Sequence, residues 1–107
     1  MQTPLDISII EQDAYLLYPV TGHFTAQHAI GLKEDILRAL PPGGQMIVLD
    51  MTAVTDADIV SVNALVQIYL GAMRKGNALE IRLRRDEALD EMLHLCKFHR
   101  RLNLVYI

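Results

Sequence analysis

The segment Met46 to Val66, MIVLDMTAVTDADIVSVNALV, constrains this chain more than any other. An apolar run, Met46–Leu49, ends in Asp50, and a short polar stretch carrying Asp56 and Asp58 follows. A long apolar segment then begins at Ile59. The order reads as strand, loop and helix, the unit from which parallel α/β sheets are built. An unbroken apolar strand of this kind is covered on at least one face. Its acidic loop falls at the mouth of a helix, where α/β proteins usually carry their working residues.

The flanking sequence supplies the rest of the unit. Leu5, Ile7 and Ile9 alternate with polar residues and predict a half-buried strand. Glu11-Gln12-Asp13 reads as a turn, and Ala14–Val20 as a second strand that pairs with the first as a hairpin. Pro19 cannot donate to a ladder, so it marks a strand end or an edge. Thr21–Thr25 reads as a loop, with Thr25 as the N-cap of a helix running to Leu40. Ala29, Ile30, Ile36, Leu37 and Leu40 line one face of that helix, and Pro41-Pro42-Gly43-Gly44 ends it. Ile59 to about Lys75 is a second helix, apolar almost all round. Asn63, Gln67, Gly71 and Arg74 or Lys75 give it one narrow polar stripe, and Gly76-Asn77 closes it. Such a helix is either mostly buried or covered by something else.

Leu79, Ile81 and Leu83 alternate with Glu80, Arg82 and Arg84, which gives a strand one dry and one wet face. A third helix spans about Asp86 to Phe98, acidic at its start and basic at its end as the helix dipole favours. Leu102–Ile107 adds a last strand. The predicted order is β-β-α-β-α-β-α-β, one α/β domain over residues 1–107 with a mixed sheet and helices mainly on one face.

A chain of 107 residues buries about two-thirds of its unfolded surface, enough for one core without disulfides or metals. Hydrophobic residues make up 51%, a surplus that points to surface covered by a partner. No apolar run approaches the roughly 20 residues of a membrane span. The absence of a secretory leader and the single Cys96 lead to the expectation of a cytoplasmic protein. A net charge of −3 argues against nucleic-acid binding. Nothing announces catalysis: there is no nucleophile elbow, no glycine-rich phosphate loop and no Cys/His pair at a meaningful spacing. His23 and His28, like His94 and His99, are five apart and do not share a helix face, so neither a metal site nor a cofactor is expected. Asp90 and His94, at i, i+4, read as a surface pair. Lys97–Arg101 reads as a basic helix end.

The order of elements, and the residues at its joints, resemble the STAS domain, the family named for sulfate transporters and anti-sigma factor antagonists. Val20-Thr21-Gly22-His23-Phe24-Thr25 is similar to the family's apolar-x-Gly-Glu-apolar-Asp segment before its first helix. Ile47-Val48-Leu49-Asp50-Met51 looks like its central strand, and Asp58 like the Asp that opens an Asp-Ser-Ser/Thr-Gly sequence. Leu93–Leu95 through Leu102–Leu104 resembles its terminal helix and strand. The chain departs from the pattern after Asp58. Ile59 and Val60 stand at the two hydroxyl positions, the second of which is phosphorylated in switched members. Ser61 and Asn63 stand where small residues are common, and His23 and Thr25 replace acidic ones.

The resemblance implies a non-enzymatic module of bacterial type that binds a regulatory partner, a serine-kinase-type anti-sigma factor, without the usual serine switch. A second reading is a cytoplasmic accessory subunit of a membrane (lipid) transporter. A third is a small-molecule-sensing domain. The partner surface expected from these residues comprises Gly22, His23, Thr25, Asp56, Asp58, Ile59, Val60, Ser61, Asn63 and Gln67. Each also has a plainer reading: Asp58 as an N-cap, Asp56 as a solvated charge, Asn63 and Gln67 as a wet stripe. Ser61 is the only hydroxyl in the first turn of the second helix and hence the one candidate phosphoacceptor there. The apolar second helix leaves room for a homodimer in every case.

Overall fold

The computed structural model describes residues 6–7, 10–11 and 15–107. Leu5, Ile9, Ala14 and residues 12–13 of the predicted turn lie outside them, while Glu11, expected to open that turn, is strand. Two short strands, β1 (Asp6–Ile7) and β2 (Ile10–Glu11), both run antiparallel to β3 (Leu16–Phe24). Then follow α1 (Ala26–Ala39), β4 (Met46–Ala57), α2 (Ile59–Arg74), β5 (Ala78–Leu83), α3 (Ala88–Leu95) and β6 (Leu104–Tyr106). Strands β3-β4-β5-β6 are parallel neighbours in that order, and β1 and β2 add to the outer side of β3. This is a mixed sheet built on a four-stranded parallel core, as the alternation of apolar runs with amphipathic segments requires.

The strand pleat decides where the core lies. Tyr18, Ile47, Leu49 and Ile81 are fully buried on one face of the sheet and meet Ile36, Leu65, Ile68 and Leu93 from the three helices in a single cluster. The other face carries Glu80 and Arg82, whose side chains pair at 2.7 Å, with Arg82 lying 5.2 Å from the centre of the Tyr15 ring. The helices therefore cover one face, as the wet positions of β5 imply.

Two segments expected to be loops are strand instead. Thr21–Phe24 continues β3, and Thr52–Ala57 continues β4 to within one residue of α2. Pro19 sits inside β3 rather than at its end. The register explains how. Pro19 pairs with Asp50 but Thr21 with Ala53, and Gly22 pairs with Val54 but His23 with Asp56. At each shift β4 carries one more residue than β3, so β4 is bulged twice. The first bulge adjoins Pro19, where a ladder bond is missing anyway. Asp50 Oδ1 accepts from the Thr52 amide at 3.0 Å and the Thr52 hydroxyl at 2.6 Å, which satisfies groups freed at the bulge. Gly22, at φ 102°, supplies the backbone needed at the second shift.

The helix ends follow from local chemistry. At the end of α2, Gly76 takes φ 78° while Gly76 N–H donates to Met73 O and Asn77 N–H to Ala72 O, a Schellman closure. Helix α3 is shorter than predicted, because Lys97 adopts φ 62° and closes the same motif two turns after the helix begins. The cluster Lys97–Arg101 thus lies in the turns beyond the helix rather than on its last turn.

Candidate docking face

Strands β3 and β4 deliver two helix starts side by side at one end of the sheet, and Asp58 joins them. Its Oδ1 accepts from the Ser61 amide at 2.9 Å, the N-cap bond of α2. Its Oδ2 accepts from the Ala26 amide at 3.0 Å, 32 residues away, at the first position of α1. The Ser61 hydroxyl completes a capping box, accepting from Asp58 N–H at 2.8 Å and donating to Asp58 O at 2.6 Å. Ser61 is wholly buried. Asp58 is thus the N-cap that the sequence implies, with a second helix added to its work. Thr25 differs from expectation: it holds the N-cap position of α1, but its side chain makes no cap bond. The His28 amide, which a capping side chain would accept, donates to the Thr25 backbone carbonyl at 3.0 Å instead, while Asp58 serves the Ala26 amide one position earlier.

Ala26 has φ 45°, a left-handed conformation that disfavours any residue with a Cβ. Ala26→Gly is expected to raise the unfolding free energy by about 0.5–1 kcal/mol, read from urea denaturation, because glycine meets no steric penalty there. A loss of similar size would show that this φ stores no strain.

His23 and Asp56 are register partners, and His23 Nδ1 binds the Asp56 carboxylate. The Thr55 hydroxyl lies 3.4 Å from the same nitrogen. This pair is not legible in the sequence, since two bulges separate the residues from any register counted from the strand starts. The structure thus gathers Gly22, His23, Thr25, Asp56, Asp58, Ile59, Val60 and Ser61 at one end. Asn63 follows one turn into α2 and is exposed, while Gln67, a turn further, is half-buried. Gly71 does not belong to an outward stripe: a Cβ there would lie 2.3 Å from Leu37 of α1. The outermost line of α2 is instead Ile59, Asn63, Val66, Leu70 and Met73. Beside its first half, Ile59, Val62 and Asn63 form a groove with Met92, Leu95, Cys96 and Phe98 of α3 and the turn after it.

A second polar cluster lies beneath the outer end of α3. Asp90, expected on the surface, is 3% exposed. It accepts from the Tyr106 hydroxyl at 2.6 Å and the Asp86 amide at 2.8 Å, and His94 lies 3.2 Å away. Burial works to raise the Asp90 carboxyl, but these donors and Arg85 outweigh it and hold the group below its ordinary value. Burial, reinforced by Asp90, pushes Tyr106 up to about 12. The rings of His94 and His99 stack with centroids 4.1 Å apart, brought together by the turn that ends α3.

The family described as "Mlab, STAS domain" matches residues 13–106, and the chain belongs to this STAS family. A crystal structure of an anti-sigma factor antagonist from Mycobacterium paratuberculosis superposes with a TM-score of 0.76 at 19% identity, covering 99% of this chain and 90% of that one. A Thermotoga maritima protein proposed to be an anti-sigma factor antagonist gives 0.69 at 13% identity, over 94% and 84% of the two chains. An uncharacterized Shewanella loihica protein with a SpoIIAA-like fold gives 0.53 at 13% identity, over 97% and 86%. No curated protein matches the chain. The structural likenesses establish a shared fold.

Proposed function

We propose that this chain is a constitutive protein-binding module of the anti-sigma-factor-antagonist type. It docks through the end of the sheet where β3 and β4 enter α1 and α2. Gly22, His23, Thr25, Asp56, Asp58, Ile59, Val60, Asn63 and Gln67 form the face, and Ser61 holds it rigid from beneath. One observation carries the reading. Ser61, the only hydroxyl in the first turn of α2, is wholly buried and spends its oxygen on both backbone groups of Asp58. A phosphate there would break the capping box and bring about −1.5 to −2 charge against the Asp58 carboxylate. Val60, which is half-buried on the same turn, offers no oxygen. The first turn of α2 therefore offers the face no accessible hydroxyl to gate it.

The partner under this reading is a serine-kinase-type anti-sigma factor. A second reading, a cytoplasmic accessory subunit of a membrane transporter, is favoured by the same sealed hydroxyl, because a permanent subunit needs no gate. Co-purification of the tagged chain separates them by what it recovers, a kinase-like protein or a transporter ATPase. Incubation with the kinase so recovered and ATP, followed by intact-mass analysis, should show no added phosphate. Phosphate on Ser61 would refute the constitutive reading.

A further inference from the structure

We propose that a second copy of this chain covers the outer face of α2, in a twofold pair with the two helices antiparallel. Ile59, Asn63, Val66, Leu70 and Met73 follow one another at intervals of 4, 3, 4 and 3 residues, the spacing of a helix–helix seam. They point away from the core. Ile59 is 68% exposed, Leu70 38% and Met73 53%, and Leu95 beside them on α3 is 75% exposed. Exposed apolar surface this contiguous marks a docking surface in a folded protein.

The face is complementary to itself. Ile59 and Met73 are equally spaced about Val66, so a twofold axis through Val66 sets Ile59 of one copy against Met73 of the other. Met73 of the second copy then enters the groove between Ile59 and Leu95. Charge selects the direction. Asp56 and Asp58 lie at the start of the seam and Arg74 at its end, Asp58 and Arg74 being equally far from Val66, whereas Lys75 is held off the seam by donating to the Leu40 carbonyl at 3.0 Å. An antiparallel pair places acid against base at both ends and opposes the helix dipoles. A parallel pair would set acid against acid and base against base. A surface complementary to itself under a twofold is the condition for a closed dimer, which a surface shaped for an unrelated partner has no reason to meet.

The dimer is read from this chain alone and stands whether or not the docking reading holds. Where both hold, Ile59 and Asn63 serve both faces, so dimer and complex exclude each other.

Sedimentation velocity of the unaltered full chain across a range of concentrations should show a monomer–dimer equilibrium. Leu70→Glu should raise its dissociation constant by about tenfold or more. Orientation is read by cross-linking in a Cys96→Ser background. Ile59→Cys mixed with Met73→Cys should give a disulfide joining the two variants, and Ile59→Cys alone should give none. Monomer at every concentration, an unchanged equilibrium in Leu70→Glu, or a disulfide between two Ile59→Cys chains would each overturn the proposal. The sedimentation result on the unaltered chain stands even if a substituted chain fails to fold.

Discussion

Asp58→Ala is expected to cost about 2–3 kcal/mol and to lower the thermal midpoint by roughly 10 °C or more. An ordinary N-cap loss removes one bond at one helix. Here the carboxylate serves the Ser61 amide of α2 and the Ala26 amide of α1, and Ala26 sits in a left-handed conformation that needs support. The Ser61 hydroxyl also keeps its bonds to the Asp58 backbone, so the capping box would be halved rather than abolished. Asp58→Asn keeps one accepting oxygen and a good cap residue, and should retain about half of the stability lost in the alanine variant. Thermal unfolding followed by circular dichroism checks both. A loss in Asp58→Ala no larger than that of a surface substitution would show that the bridge between the helices carries no energy.

Asp90→Ala is the second large effect, at about 1–3 kcal/mol. The half-buried Tyr106 hydroxyl would lose its acceptor, which carries most of that cost, while the amide of the exposed Asp86 can turn to water. The same residue couples stability to pH. Its folded-state carboxyl is held below the ordinary carboxylate value, so the folded chain binds fewer protons than the unfolded chain in the acid range. Its contribution is therefore complete above the unfolded value, about 3.9, and is lost as pH falls through the lower folded value. Asp90→Asn removes that titration while keeping the shape. The stability gap between the two proteins should shrink as pH is lowered from 7 toward 3, measured as urea midpoints. A gap that stays constant over that range would place the acid sensitivity elsewhere.

The alternation of apolar runs and turn residues was enough to read the order of elements from β3 onward, the single core and the helix-covered face, but not the division of the first strand into β1 and β2. These follow from period-2 and period-3.6 patterns within single segments. Where the reading failed, the determining contact came from far along the chain. Thr52–Ala57 is polar enough to pass for a loop, yet it pairs with Thr21–Phe24 once two bulges bring the strands into register. Thr25 has the chemistry of an N-cap, but its side chain makes no cap bond, and the side chain that does serve the start of α1 is Asp58, 32 residues away from Ala26. Asp90 looked like half of an exposed i, i+4 pair because neither Tyr106 nor the fold of the chain over it is visible in an isolated helix. The apolar character of α2 was legible from composition. Which line of it faces outward was not, because that depends on where α1 and α3 pack. Gly71 shows this best: it reads as part of a polar stripe, and it is a close contact with Leu37.

The parallel order of β3 to β6 also governs how the chain must fold. Leu16 meets Ile47, Ile47 meets Leu79, and Ile81 meets Leu104, so each parallel pairing waits for a whole intervening helix to form. Closing such loops precedes any reward from the pairing, and folds of this kind are slower than helical bundles of equal size. The unit β3-α1-β4-α2 is the first to contain both helix starts that Asp58 clasps. A ribosome-bound chain shorter than that unit lacks the clasp, and its exposed apolar strands depend on the rest of the chain emerging in time.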